Sequence, residues 1–184
     1  VNIPARGPDQ TRIGIAIAVP EPHASRLQQA RADVGDPLAD VIPPHITVVG
    51  PTVVDDSTLA AVAEHLEKVA AESAPFRVHL RGTGTFRPVS PVVFVSLVEG
   101  IAECELLEQQ ARSGVLAQEL RFNYHPHVTI AHEIPDAAMD EAFETMAGFE
   151  AEFEVDRFWQ YTHGDDGVWR PRRAFVLGGS PPTS

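Results

Sequence analysis

Two histidines and two threonines stand in a repeated setting in this chain. Pro44-His45-Ile46-Thr47-Val48 comes early and Pro126-His127-Val128-Thr129-Ile130 comes late, an offset of 127 − 45 = 82 residues. Both copies lie in apolar, β-branched runs, which favour strands. On a strand the side chains of residues i and i+2 share a face, so each His stands beside its own Thr, while Ile46 and Val128 point the other way into a core. Two imidazoles and two hydroxyls suit a phosphodiester. One imidazole can take a proton from an attacking water and the other can protonate the departing oxygen, because the histidine pKa lies near working pH. Fixed hydroxyls can meet the charge that builds on the non-bridging oxygens in the transition state. This chemistry calls for no metal and no cofactor.

A metal hydrolase is the competing reading. His125 and His127 form a His-x-His on one strand face, with His132-Glu133 nearby. However, His132 is five residues from His127 and falls on the opposite face, and there is no His-Glu-x-x-His. His23, His65 and His79 sit on helical or strand positions without evident partners and read as surface residues. There is no Walker-type glycine loop and no Gly-x-Ser-x-Gly. Cys104, the single cysteine, lies in a predicted helix and reads as core, which excludes an intrachain disulfide and a cysteine-based zinc site.

Arg81, Thr85, Arg121, Tyr161 and Trp169 are of types that could touch phosphate or base, and Phe86, Arg87, Tyr124 and Trp159 are the candidate substrate contacts. Core packing is the alternative for Phe86 and Trp159. Tyr124 lies three residues before His127, so a regular strand would place it on the opposite face.

The elements that must position these residues follow in order. Residues 1–11 read as a loose leader and residues 178–184 as a flexible tail, with one two-lobed domain over residues 12–177. Arg12 to Val19 alternates Ile13, Ile15 and Ile17 with small residues, a buried strand. A helix over 22–34 follows, stopped by Gly35-Asp36-Pro37. The first His-x-Thr strand spans 41–49 and is closed by Gly50-Pro51. Asp55, Asp56 and Ser57 can cap a helix to about Glu72, with Leu59, Val62, Leu66 and Val69 inward. Strands over 76–80 and 91–98 flank a glycine-bearing turn at 81–88. A helix from 100 to about 118, interrupted near Ser113-Gly114, leads to the second His-x-Thr strand over 122–131. Pro135-Asp136 starts a helix with Met139, Phe143 and Met146 inward. A strand over 150–161 changes parity at Phe158, which suggests a bulge, and Gly164-Asp165-Asp166-Gly167 reads as a hairpin turn. The plan resembles an internal duplication.

Composition narrows the partners. At 184 residues and 43% hydrophobic, the chain can bury one good core or two small lobes sharing an interface. A net charge of −12 argues against long nucleic acid, because phosphate neutralisation needs a basic face. Lys68 is the only lysine, so a cationic site must use arginine. The absence of a signal-like segment and of a long apolar run leads to the expectation of a cytoplasmic protein without a membrane partner. A monomer is expected.

The pair PHITV and PHVTI, their spacing near eighty, and Gly84-Thr85-Phe86-Arg87-Pro88 followed by a Val-rich strand resemble the 2H phosphoesterase superfamily, in its 2'-5' RNA ligase-like branch. The resemblance covers residues 12–177. It implies an α/β (α+β) bilobal fold with pseudo-twofold symmetry and two antiparallel sheets flanked by helices, the two His-x-Thr strands lining a central cleft. It also implies His45 and His127 as the acid–base pair and Thr47 and Thr129 as phosphate-holding hydroxyls. The implied activity is metal-independent opening of 2',3'-cyclic phosphates of small nucleotides or RNA termini, giving a 2'-phosphate. In the ligase-type motif an Arg-Phe pair commonly follows the Thr, whereas Val48-Val49-Gly50-Pro51 follows here. That departure and the acidic charge favour hydrolysis over 2'-5' RNA ligation, and a catalytically silent nucleotide-binding module on the same fold is the other alternative.

Overall fold

The computed structural model describes residues 3–179. In chain order the strands are β1 (Gln10–Ala18), β2 (His45–Asp55), β3 (Phe76–Thr85), β4 (Val92–Glu99), β5 (His127–His132), β6 (Glu150–Val155), β7 (Arg157–His163) and β8 (Trp169–Val176). The α-helices are α1 (His23–Asp33), α2 (Leu59–Glu72), α3 (Ile101–Ala111) and α4 (Asp136–Thr145). Short 3-10 turns at Asp56–Thr58 and Gly114–Leu116 precede α2 and follow α3. No helix among the described residues is long and apolar enough to cross a membrane.

The expected pair of separate sheets is corrected to one antiparallel sheet of eight strands, ordered β6-β3-β4-β5-β2-β1-β7-β8. The two halves of this sheet meet through a single bridge, Ile46 opposite Val128. Each His-x-Thr strand also pairs with the strand that leads into it, β1 with β2 and β4 with β5. The duplication is therefore a β-α-β-α unit used twice.

This sheet cannot be flat. β6 and β7 are six strand steps apart in the sheet order, about 29 Å on a flat surface at about 4.8 Å per step. Asp156 alone joins them in sequence, a reach of about 7 Å at most. The sheet must curl so that its far ends approach. The parity change near Phe158 is thus not a bulge within one strand but the chain leaving β6 at one edge and entering β7 beside β1.

The core is built as the periodicity predicts. Ile13, Ile15 and Ile17 of β1 pack with Ile46 and Val48 of β2, Val128 and Ile130 of β5, and Val62, Leu66 and Val69 of α2. Cys104 is fully buried, and the apolar surroundings push its thiol up to about 12. On α4 the deepest residues are Met139 and Ala142, with Phe143 and Met146 only partly buried.

Several boundaries move. Gly50-Pro51 does not end β2, which runs on to Asp55. Residues 50 and 51 fall in an irregular stretch between the Ile13–Thr52 and Ile15–Val49 pairs, and β2 has no β5 partner beyond Ile46. A proline without N–H is tolerated on such an unpaired flank. The turn expected at 81–88 shortens, because β3 continues to Thr85. Gly84 pairs with Phe94, and a Cβ there would lie 2.6 Å from the Phe94 ring, so only glycine fits. The acidic caps of α2 make no side-chain capping bond.

The described part of the leader is held rather than loose. Arg6 bonds Asp165 at 2.7 Å, Arg12 donates to the Pro4 carbonyl, and Asp56 N–H donates to the Asp9 carbonyl. Gly178 and Gly179 likewise donate to the Ala70 and Ser73 carbonyls at the end of α2. The remaining leader and tail residues, 1–2 and 180–184, lie outside the described residues. The 164–167 turn forms as predicted, with Gly167 at φ +79° and Gly164 N–H bonded to the Val168 carbonyl.

Candidate active site

Each motif opens with a buried proline followed by the histidine that starts its strand. The proline ring fixes its own φ and biases the preceding residue towards extended backbone. In both copies the His ring then folds back onto the carbonyl two residues earlier. His45 Nδ1 lies 2.7 Å from the Pro43 oxygen, and His127 Nδ1 lies 2.7 Å from the His125 oxygen. A carbonyl only accepts, so Nδ1 carries the proton in each ring, and Nε2 is left as the atom that exchanges protons.

One antiparallel bridge, Ile46 opposite Val128, brings the two motifs side by side with opposite sense. Burial alternates accordingly. Ile46, Val48, Val128 and Ile130 are buried on the core face, and His45, Thr47, His127 and Thr129 are half-buried on the other. The two imidazoles feel each other: the His45 charge is among the influences that lower the His127 pKa.

Both rings are held below the ordinary histidine range. His127 falls to about 4, chiefly because the charged ring is poorly hydrated among its neighbours, with opposing support from the His125 carbonyl. His45 is lowered first by burial, and the Arg31 charge adds to it. At neutral pH the free protein therefore holds both rings neutral.

The neighbours differ. His127 is walled by Phe86 at 5.0 Å and Phe94 at 5.1 Å between ring centroids, with His125 stacked at 6.3 Å. Phe94 lies beside Thr129, and Ser96 beside His127, on β4. On the other side, β1 sets only Ala16 and Ala18 beside Thr47 and His45.

The candidate substrate contacts separate. Phe86 packs on His127 and stays at the site. Arg87 does not join it, because Asp140 at 2.7 Å and Asp136 at 3.5 Å on α4 hold its guanidinium. Tyr124 lies in irregular backbone ahead of β5, because the strand expected over 122–131 begins only at His127. It packs against the core, and its hydroxyl donates to the Thr47 carbonyl at 2.8 Å, tying the approach to β5 onto β2. Burial pushes that phenol far above its usual range. Trp159 pairs with Ala16, which pairs with Thr47, so it lies two strands from β2 on the histidine face. Of the other histidines, His65 bonds the Ala111 carbonyl and His79 bonds Glu150, so both are partnered and half-buried rather than surface residues. His23 is also half-buried.

Sequence reasoning missed Phe94, Ser96 and a buried ion pair. Arg31 and Asp36 meet at 2.7 Å with side chains only 7% and 0% exposed, and Asp36 also accepts from the His132 and Leu38 N–H groups. The pair thus clamps the end of α1 to β5. Asp36 was legible only as a helix stop. The Phe94 role needed the β4–β5 register, which no local pattern carries.

Among the described residues, no three histidine, cysteine, aspartate or glutamate side chains gather as a metal-ion cluster. Two surface depressions of about 500 Å³, one at Asp9 and Asp55 and the other at Arg77 and Glu152, lie away from the twin motifs.

A curled antiparallel sheet with helices, carrying a His-x-Thr strand on each side of its seam, defines a 2H phosphoesterase. The chain belongs to the 2'-5' RNA ligase superfamily, whose model matches residues 19–167. A Bacillus thuringiensis (strain Al Hakam) protein named "Putative phosphoesterase" is 31% identical over 145 residues, covering 78% of this chain and 84% of that one. Among solved structures, E. coli LigT complexed with 3'-AMP superposes with a TM-score of 0.65 at 21% identity, over 91% of this chain and 98% of that one. E. coli LigT complexed with NADP+ gives 0.67 at 20%, over 92% and 98%. These two show a shared fold.

Proposed function

We propose that this phosphoesterase opens five-membered 2',3'-cyclic phosphates of nucleotides or RNA ends, with His45 and His127 as the acid–base pair. The pairing of the two motifs supports the reading most: the Ile46–Val128 bridge sets the His-x-Thr strands side by side with opposite sense, and both rings offer Nε2. In hydrolysis, water attacks phosphorus as one neutral Nε2 takes its proton. The other ring, protonated at Nε2, delivers that proton to the ribose oxygen as its bond to phosphorus breaks. Thr47 and Thr129 hydroxyls donate to the non-bridging oxygens, where charge increases. Because both rings start neutral, one must gain a proton as substrate binds, and the phosphate anion between them favours the imidazolium. The 2'-phosphate is the expected product, and small nucleotides are the expected ligands, in keeping with the 3'-AMP and NADP+ complexes of LigT.

The test is turnover of adenosine 2',3'-cyclic phosphate with EDTA present. Full activity in chelator and a single monophosphate product are expected. Tight binding without product would sink the reading, and activity abolished by chelator and restored by a divalent ion would replace it with metal hydrolysis through His125 and His127.

A further inference from the structure

Residues 34–44, between α1 and the first motif, form neither helix nor strand, and one buried carboxylate organises them. Asp36 Oδ1 accepts from the Leu38 N–H at 2.8 Å. Its Oδ2 accepts from Arg31 Nε at 2.7 Å and from the His132 N–H at 3.0 Å. The Asp36 carbonyl accepts from the Ala39 N–H, and the Leu38 carbonyl accepts from the Val41 and Ile42 N–H groups. Gln28 on α1 donates to the Ala39 carbonyl. Pro43 follows directly, and its carbonyl is the one that holds His45 Nδ1. A run of adjoining bonded turns therefore leads from Asp36 to the imidazole.

The same carboxylate reaches the strand of the other motif, because His132 ends β5. Tyr124 does the converse: it lies ahead of β5 and bonds the Thr47 carbonyl of β2. Each lead-in thus grips the strand of the opposite motif. A single backbone bridge fixes one point between two strands and leaves their angle free, and β2 and β5 share a single bridge. Ties from both lead-ins restrict that angle. A buried ion pair is weak evidence for stability, since apolar residues of like volume often serve as well. They could not draw two N–H groups from different segments onto one carboxylate. The pair also lies within electrostatic reach of His45, whose pKa the Arg31 charge lowers.

Resting on the paired-imidazole reading, we infer that Asp36 is a positioning residue: it holds the loop ending in Pro43 against β5 and so sets where His45 stands relative to His127. Asp36 acts through the loop and not on the substrate. Arg31 supplies the opposite charge that a buried carboxylate needs.

The intact chain is tested by NMR of the imidazole nitrogens at neutral pH, where both rings carry the proton on Nδ1. Asp36→Asn keeps one acceptor oxygen and turns an amide donor towards the second N–H, so one tie is lost. Arg31→Met/Asp36→Asn loses the same tie without stranding a buried charge, which protects the fold. Circular dichroism checks that both variants fold. In each, His45 should become a mixture of tautomers while His127, held by the His125 carbonyl, stays as it is. On adenosine 2',3'-cyclic phosphate kcat should fall by about ten- to hundredfold, with KM changed far less. In the native chain the Leu38 and His132 amides should exchange with solvent through one common opening, because one carboxylate holds both. A folded variant in which His45 keeps its tautomer, or in which both rings change alike, overturns the inference. Independent exchange of the two amides overturns it without any variant. If His45 alone responds to Asp36 while the native protein opens no cyclic phosphate, the positioning role stands and the hydrolase reading falls.

Discussion

The two His-x-Thr strands are alike in what each does to its own histidine and unlike in what surrounds it. Both use the residue before the proline to hold Nδ1 at 2.7 Å, and both put an aliphatic residue into the core between His and Thr. Beyond that the resemblance ends. His127 is walled by Phe86, Phe94 and His125, whereas His45 has Ala18 beside it and the charge of buried Arg31 near it. The local motif sets tautomer and direction. The neighbouring strand sets polarity, rigidity and access. A duplicated unit can thus keep the same local motif while its two sides diverge, with aromatic rings around His127 and alanines beside His45 and Thr47.

Removing either imidazole is the severest way to break the pairing. His45→Ala and His127→Ala should each lower kcat on adenosine 2',3'-cyclic phosphate by about 10²–10⁴-fold while remaining folded. If the two act as a unit, the double variant should be little worse than the poorer single one. Near-native turnover in either single variant contradicts paired catalysis.

A smaller change sharpens the difference between the two sides. Phe86→Ala opens one wall of His127 to water, which should raise its pKa from about 4 towards 6.5 and leave His45 unmoved. The expected outcome, read by NMR titration of the two rings, is a one-sided shift, with kcat falling by less than about tenfold. Equal shifts in both rings would mean that the environments are not independent.

The smallest effect concerns the tie between the strands. Tyr124→Phe removes the hydroxyl bond to the Thr47 carbonyl and should cost about 1 kcal/mol, a Tm drop of about 2–4 °C. A larger loss of activity than of stability would show that this bond also sets the distance between the motifs.

Much of this was legible in the sequence, and the limits are physical. Alternation around Ile46 and Val128 is local and gave the face of each His and Thr. The helical stripe Val62, Leu66 and Val69 was equally local. Register between strands is not local. Nothing near His127 indicates that Phe94 and Ser96 will lie beside it, and nothing near Arg87 indicates that α4 will take its guanidinium. Strand ends also misled. Gly50-Pro51 and the glycines of 81–85 read as breaks, but an unpaired flank tolerates proline, and the overlying Phe94 ring requires Gly84. The single sheet was hidden because one bridging pair leaves no pattern along the chain.

The pH dependence of kcat/KM tests the paired-imidazole account most directly. The reactive form holds one proton on the two Nε2 atoms, and both pKa values in the free protein lie below 6.5, with His127 at about 4. Above both values the acid is missing, and below both the base is protonated, so the profile should be a bell with its maximum on the acid side of pH 6.5, falling towards alkaline pH. As separate histidine titrations, the same rings should favour folding less as pH drops from about 6.5 towards 4, because the unfolded chain then binds more protons. A rate that instead rises through neutrality to an alkaline plateau would show a single base or a metal-bound hydroxide at work, and would contradict the account.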